Sequence, residues 1–381
     1  MFTRDQSGRP SPTRNALSWS DGLAVQAVSS LNGLPRSQTP TDIVFGLLEK
    51  IERDMVDARL HEAFHPLTMS QVALKSGYMP VEEARVDGQA YSLKAFHDGT
   101  LAVGTLNRRI VLNPLRGLGK SEEELEGHSG GIFSIDILPD GRIASAGADC
   151  QLLVWERRGA QGGWSSKPVP WCSSVVSALQ VLPGYRVLAA CDDGSVRLGD
   201  LFSECFEVLQ PSSTGRVVPA PYSCVQMAQN GRIVAGRDSG DVTIWQPTRA
   251  GWDVSGFIVS RAALISCVQS LGSQGILTGG SDLGLLLHTL QDGTWSSAQL
   301  SPIGGGWVNC MQALPDGRIV FGTTRGDIWI VSQGGGDREQ LVAHDGQVRA
   351  IQAFPDGRIV SCGDDGRVVL WDGAQAAAGQ R

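Results

Sequence analysis

Residues 134–156 read SIDILPDGRIASAGADCQLLVWE, and the same sentence returns at 311–331 as MQALPDGRIVFGTTRGDIWIV and at 351–372 as IQAFPDGRIVSCGDDGRVVLWD. Each copy is an apolar run, a tight turn at Pro-Asp-Gly, a second apolar run, a short polar turn and a third apolar run, the pattern of strands joined by hairpins. With the turn residue as marker there are seven copies, at Gly99, Gly141, Tyr185, Gly231, Gln274, Gly317 and Gly357, spaced by 40 to 46 residues. Two more columns keep the register. A small residue stands seven positions before each marker (Ser92, Ser134, Ala178, Cys224, Cys267, Cys310, Ala350), and two positions later come Lys94, Asp136, Gln180, Gln226, Gln269, Gln312 and Gln352.

A period of this size is that of a four-stranded propeller blade. The sequence therefore predicts an all-β, seven-bladed β-propeller over residues 78–373, preceded by a small α-helical N-terminal extension. An open ring would leave two sheet edges free to pair with other chains. After RVVLWD at 367–372 only GAQAAAGQR remains, so the outer strand of the last blade must come from elsewhere, and residues 78–86, directly before the first inner strand, are the donor expected to pair with 367–371.

Two copies carry more specific features. Gly127-His128 is followed by Trp155-Glu156, and His344 by Trp371-Asp372, with 27 residues from His to Trp in both. In these residues the chain resembles the WD-repeat β-propellers. That resemblance implies a hydrogen-bonded tetrad of His, Ser or Thr, Asp and Trp in each such blade: His128, Ser145, Asp149 and Trp155 in the second, His344, Ser361, Asp365 and Trp371 in the seventh. A His near a Ser and an Asp also invites a hydrolase reading. The recurrence at blade spacing and the Trp as fourth partner favour a structural network, which fixes strand register when every member is satisfied. Other blades depart from the pattern: Ala189 and Gly199 replace Ser and Trp in blade three, Ala235 and Ser239 replace Ser and Asp in blade four, and His288 replaces Trp in blade five, which keeps Thr278 and Asp282. Blades one and six keep only the strand pattern, so stability is expected to come mainly from packing of sheet on sheet.

The remaining composition narrows the class. Forty-eight glycines suit the many tight turns, and the eight cysteines have no CxxC or CxxH spacing, so neither a zinc site nor a disulfide framework is expected. They read as small buried apolar residues of a reducing, cytoplasmic compartment. No apolar run reaches the ~18 residues of a membrane span, and the first 20 residues lack a secretory apolar region. A net charge of −7 argues against nucleic acid as partner. Residues 1–16 are polar and read as a disordered tail, residues 17–77 as helices, among them one after Thr41 with Ile43, Leu47, Ile51 and Met55 on one face, and residues 374–381 as a C-terminal tail. Two readings attach to this extension: a ubiquitin-ligase substrate receptor, in which a helical module precedes a WD-repeat propeller, and a secreted bacterial effector working in host cytoplasm, with the Ser-rich start as export signal.

The family resemblance also implies a partner surface around the narrow end of the central channel, with two contact positions per blade. One is the residue before the small column: Tyr91, Phe133, Ser177, Ser223, Ser266, Asn309 and Arg349. The other precedes the tetrad Asp: Leu106, Ala148, Asp192, Asp238, Ser281, Thr324 and Asp364. A phosphopeptide needs converging guanidiniums, and only Arg349 stands here. The expected ligand is a basic or neutral protein or peptide, with Tyr91 and Phe133 as apolar anchors and Asp192, Asp238 and Asp364 selecting charge. The protein is thus read as a monomeric interaction scaffold without catalysis, cofactor or metal. A propeller enzyme with a site at the channel mouth is the competing class, and it would require converging His, Asp or Glu residues outside the tetrads.

Overall fold

The computed structural model describes residues 77–373 apart from 97, 116–120, 160–161, 171, 204, 210–219, 250, 260–263, 273–274, 282–283, 302–305 and 333–337. The N-terminal tail, the helices expected before residue 77 and the C-terminal tail fall outside the described residues, as do Gln274 and Asp282.

Twenty-eight strands form seven antiparallel sheets of four among the described residues. In blade two the order from the channel outward is Ile132–Ile137, Ile143–Gly147, Leu152–Arg157 and Trp164–Pro168. Left-handed glycines make the hairpins possible: Gly141, Gly317 and Gly357 sit at φ of 85°, 87° and 89°, where a side chain would be strained. Blade seven is closed by the start of the propeller. The strand Met79–Arg85 pairs antiparallel with Arg367–Asp372, Ala84 opposite Val368, and Arg367 grips Glu83 through two contacts of 2.6 and 2.8 Å. Just beyond, Val86 N–H donates to Gly366 O at 2.9 Å.

Six of the seven second strands are buried along their whole length. Leu101–Thr105, Ile143–Gly147, Ile233–Arg237 and Ile359–Gly363 are all in this state. The reason is that a neighbouring blade covers each face of the sheet, so these strands read as continuous apolar runs. The hydrophobic core is accordingly divided into seven clusters, one per junction. Ile110, Ile135 and Trp155 bridge blades one and two, Leu188, Tyr222 and Trp245 blades three and four, and Leu93, Val360 and Leu370 blades seven and one. The approach is close enough to demand small residues on the second strands: a Cβ on Gly236 would lie 2.4 Å from Ile265 Cγ2, and one on Gly322 2.4 Å from Val348 Cγ1. The tryptophans at the start of outer strands, Trp164, Trp252 and Trp295, pack half-buried against these clusters.

The Gln column stitches the inner strands together. Gln180 Oε1 accepts Met227 N–H at 2.6 Å, Gln226 accepts Ser270 N–H at 2.6 Å, Gln269 accepts Ala313 N–H at 3.3 Å, and Gln312 accepts Ala353 N–H at 2.8 Å. Gln352 then reaches from the last blade to the first, accepting Ala95 N–H at 2.6 Å. Asp136 plays the same part toward Val181 N–H at 2.7 Å, and Lys94 meets Asp136 at 2.9 Å. A belt of polar contacts therefore crosses all seven junctions and returns to its start.

Candidate functional site

All seven inner strands carry a β-bulge at the same place. The register shifts between Ala90 and Ser92, between Ile132 and Ser134, and so on to Val348 and Ala350. The residue inside each bulge is the one expected to face a partner: Tyr91, Phe133, Ser177, Ser223, Ser266, Asn309 and Arg349. A bulge leaves one residue out of the ladder and re-aims its side chain, and here all seven line a single cavity of about 460 Å³ at one end of the channel. The second set is held by an equally regular device. The backbone N–H of each donates to the carbonyl two residues before the bulge, from Leu106 to Gln89 at 3.1 Å through Asp364 to Gln347 at 3.0 Å. Of that set only Asp238 lines the cavity itself.

The mouth is chemically lopsided. Tyr91 and Phe133 pack with ring centroids 5.1 Å apart and planes tilted by 43°, and the Arg349 guanidinium lies 4.7 Å over the Tyr91 ring. Arg349 also clasps Asp364 at 2.7 and 2.9 Å, so this pair neutralises itself and Asp364 is spent on positioning the guanidinium. Asn309 is braced in the same way, donating to Gln347 Oε1 and Val348 O, both at 3.2 Å. The Ser223 and Ser266 hydroxyls donate to Ile265 O and Val308 O of the next blade. The excess charge at the mouth therefore comes from Asp192, which accepts the Ser177 hydroxyl at 2.5 Å, and from Asp238. Burial, and then the neighbouring Asp192 charge, push the Asp238 carboxyl above its usual range. Trp307, two residues before the Asn309 bulge and 42 % exposed, is an aromatic that sequence reasoning missed. Its signal was available: it occupies the column of Gly131, Val175 and Gln347, where no buried strand position requires a large apolar group.

The two polar networks lie inside the blades. Trp155 Nε1–H donates to Ser145 Oγ at 2.7 Å, Ser145 Oγ stands 2.7 Å from His128 Nε2, and His128 Nδ1 stands 2.8 Å from Asp149 Oδ2. An indole only donates and a carboxylate only accepts. The Ser145 hydroxyl therefore donates its hydrogen bond to Nε2, and Nδ1–H donates to Asp149. Every group is satisfied, and Asp149 takes backbone N–H groups from Ser129 at 2.9 Å and Gln151 at 3.2 Å as well. Burial drives the His128 pKa down against the pull of Asp149. Asp149 feels burial upward, but its hydrogen bonds from His128, Ser129 and Gln151 outweigh this and hold it low. In blade seven Trp371, Ser361, His344 and Asp365 repeat the arrangement at 3.0, 2.9 and 2.9 Å. A hydroxyl fixed between an indole donor and a buried ring, away from the 460 Å³ cavity, is not placed as a nucleophile.

Departing blades use substitutes. In blade three Arg197 is tied to Asp193 at 2.5 Å and to Ser195 at 3.2 Å. In blade five His288 replaces Trp, with Nε2 2.8 Å from Thr278 Oγ1 and Nδ1 2.7 Å from Ser297 Oγ. Burial pushes the pKa of this fully covered ring down to about 4. The unfolded chain then binds the proton first, so stability present above about pH 6.5 is lost as pH falls toward 4, by about 3 kcal/mol. Urea unfolding at pH 7 and pH 4 measures this loss, and His288→Gln should reduce it; equal pH dependence in both proteins would contradict the assignment. In blade four Trp245 is buried with its Nε1–H unbonded among the described residues, because Ala235 stands where Ser145 and Ser361 do. Ala235→Ser supplies the missing acceptor and is expected to raise stability by about 0.5–1 kcal/mol, read as a higher urea midpoint.

The WD40 family model, described as "WD domain, G-beta repeat", matches residues 119–156 and 336–372. Each match begins with the outer strand of one blade and ends with the third strand of the next, and each contains one complete tetrad. The protein is a seven-bladed β-propeller that contains two WD repeats. Among solved structures this WD-repeat propeller is similar to the crystal structure of the WD40 beta propeller domain of Doa1, at a TM-score of 0.64 and 13 % identity over 78 % of this chain and 97 % of that one. No protein in the curated comparison matches the sequence. Among the described residues no group of three or more His, Cys, Asp or Glu side chains is arranged to hold a metal ion.

Proposed function

We propose that this WD-repeat propeller is an interaction scaffold without chemistry of its own, and that it holds a basic protein segment at the channel mouth. Propellers of this family generally bind proteins or peptides. The observation that carries the finer reading is the asymmetry of the channel mouth: the Tyr91 and Phe133 rings on one side, Asp238 with the neighbouring Asp192 on the other, and a self-neutralised Arg349–Asp364 pair in blade seven. A long cationic side chain entering such a mouth lays its stem on the rings and its charge against the carboxylates. The eight cysteines, all free and several buried, support a reducing cytoplasmic setting; burial pushes the Cys224 and Cys310 thiols up to about 12, which suppresses oxidation.

The test is a peptide array graded in net charge, probed with wild type and with Asp192→Asn/Asp238→Asn. Cationic peptides should be preferred by wild type, and the double variant should weaken them at least tenfold, about 1.4 kcal/mol. Preference for acidic peptides, or an unchanged profile in the variant, would contradict the reading.

A further inference from the structure

The inner strand of blade four, Tyr222–Met227, starts at the channel mouth with the Ser223 bulge and ends at the turn 229–231, so this turn lies on the opposite face of the disc. Three other blades show what such a turn does with the arginine that follows it. An aspartate two residues earlier neutralises it: Asp140 meets Arg142 at 2.5 Å, Asp316 meets Arg318 at 2.8 Å and Asp356 meets Arg358 at 2.8 Å. Arg142 also lies 4.3 Å from the exposed ring of Phe202, and Arg318 lies 5.6 Å from the ring of Tyr78. Blade four departs from this scheme by a single residue. Asn230 stands where the aspartate does, and its Oδ1 accepts the Arg232 backbone N–H at 3.1 Å, which keeps the turn but supplies no charge. Among the described residues no carboxylate pairs with the Arg232 guanidinium.

Arg232 and Asn230 border a cavity of about 200 Å³ between the turns of blades four and five. Its floor is Val234, Ile244 and Ile276, all buried members of one core cluster. One wall is the cross-strand pair of Leu290 and Trp295, with Leu290 46 % exposed. Among the described residues that line it, Arg232 is the only charged one. The cavity is smaller than the about 300 Å³ at which ligand pockets usually begin, so it suits a single side chain rather than a cofactor. A guanidinium without a counter-charge beside an apolar surface attracts a carboxylate, which it can hold through two hydrogen bonds.

We infer that this pocket is a docking site for an extended segment of a partner protein, which seats one large apolar side chain over Val234 and Ile276 and sets the carboxylate of an adjoining Asp or Glu on Arg232. Charge fixes the choice of occupant: the lining offers a cation and no anion, so a basic segment is repelled where an acidic one is held. The site lies on the face opposite the channel mouth and has the opposite charge preference. It therefore stands or falls independently of the binding proposed there.

The probes are two hexapeptides with acetylated and amidated ends, one carrying a photo-reactive leucine beside Glu and the other the same leucine beside Gln, so that the Glu side chain is the only carboxylate. Binding is read by fluorescence anisotropy and cross-links are located by mass spectrometry. The Glu probe should bind wild type about tenfold more tightly than the Gln probe, with cross-links at the pocket between blades four and five. Asn230→Asp gives blade four the aspartate of the other turns, so it should neutralise Arg232 and remove the preference for Glu without lowering the urea midpoint. Arg232→Gln should remove it too, while Asp192→Asn/Asp238→Asn should leave it intact. Equal binding of the two probes, no binding of the Glu probe at millimolar concentration, cross-links confined to other surfaces, or an undiminished preference in either pocket variant would each overturn the proposal.

Discussion

Replacing Ser145 with alanine is expected to lower stability by about 3 kcal/mol, although only one oxygen atom is removed. The oxygen is fully buried and is used twice: it accepts the Trp155 indole N–H and donates to His128 Nε2, each at 2.7 Å. Alanine strands both partners, at 2 % and 6 % exposure, where water cannot replace the lost bond. The penalty for an unsatisfied buried donor or acceptor is about 1–3 kcal/mol each, and two are created. Threonine should recover part of the loss, because blade five carries Thr278 at this column with its hydroxyl 2.8 Å from a ring nitrogen. Urea midpoints of the three proteins test this. A Ser145→Ala protein within about 0.5 kcal/mol of wild type would mean that the network does not hold the blade.

A larger loss is expected when the closing strand is removed. A chain beginning at Val86 lacks Met79–Arg85, so Arg367–Asp372 becomes a bare edge and the Arg367 guanidinium, 7 % exposed, loses its two contacts with Glu83. Apolar area at the blade-seven junction, including that beside Tyr78 and Trp371, is uncovered in the same step. A bare apolar edge recruits other chains, so the truncated protein should lose about 5 kcal/mol or more and elute as aggregate in size-exclusion chromatography. Glu83→Gln separates the ion pair from the strand. Because Glu83 is partly exposed, solvent screens the pair and the loss should be only about 1 kcal/mol. A monomeric truncated chain with an unchanged urea midpoint would show that the ring does not depend on its seam.

Local pattern revealed most of this architecture. Turn residues such as Gly141 and Gly357, the apolar runs between them and the constant His-to-Trp spacing all lie within one blade, where position along the chain dictates position in space. Features that depend on which side chain reaches across a boundary were harder to read. The sequence offers Arg349 and Asp364 as separate contact positions, yet they meet at the open end of one hairpin and satisfy each other. The Lys94–Asp136 contact breaks the glutamine column at one junction and still continues the belt. Nor did alternation indicate that the second strands would be buried on both faces, since that burial is supplied by neighbouring blades some 42 residues away along the chain. Exposed aromatics such as Trp307 and Phe202 are invisible to a search for buried patterns.

The central claim is a ring whose first strand is its last edge, and amide hydrogen exchange across Met79–Arg85 tests it most directly. Residues on this strand that hydrogen-bond to Arg367–Asp372 should exchange as slowly as those of Ile359–Gly363 in the same sheet, since both open only when the blade does. Exchange of residues 79–85 at the rate of a free peptide, with Ile359–Gly363 still protected, would contradict closure by this strand.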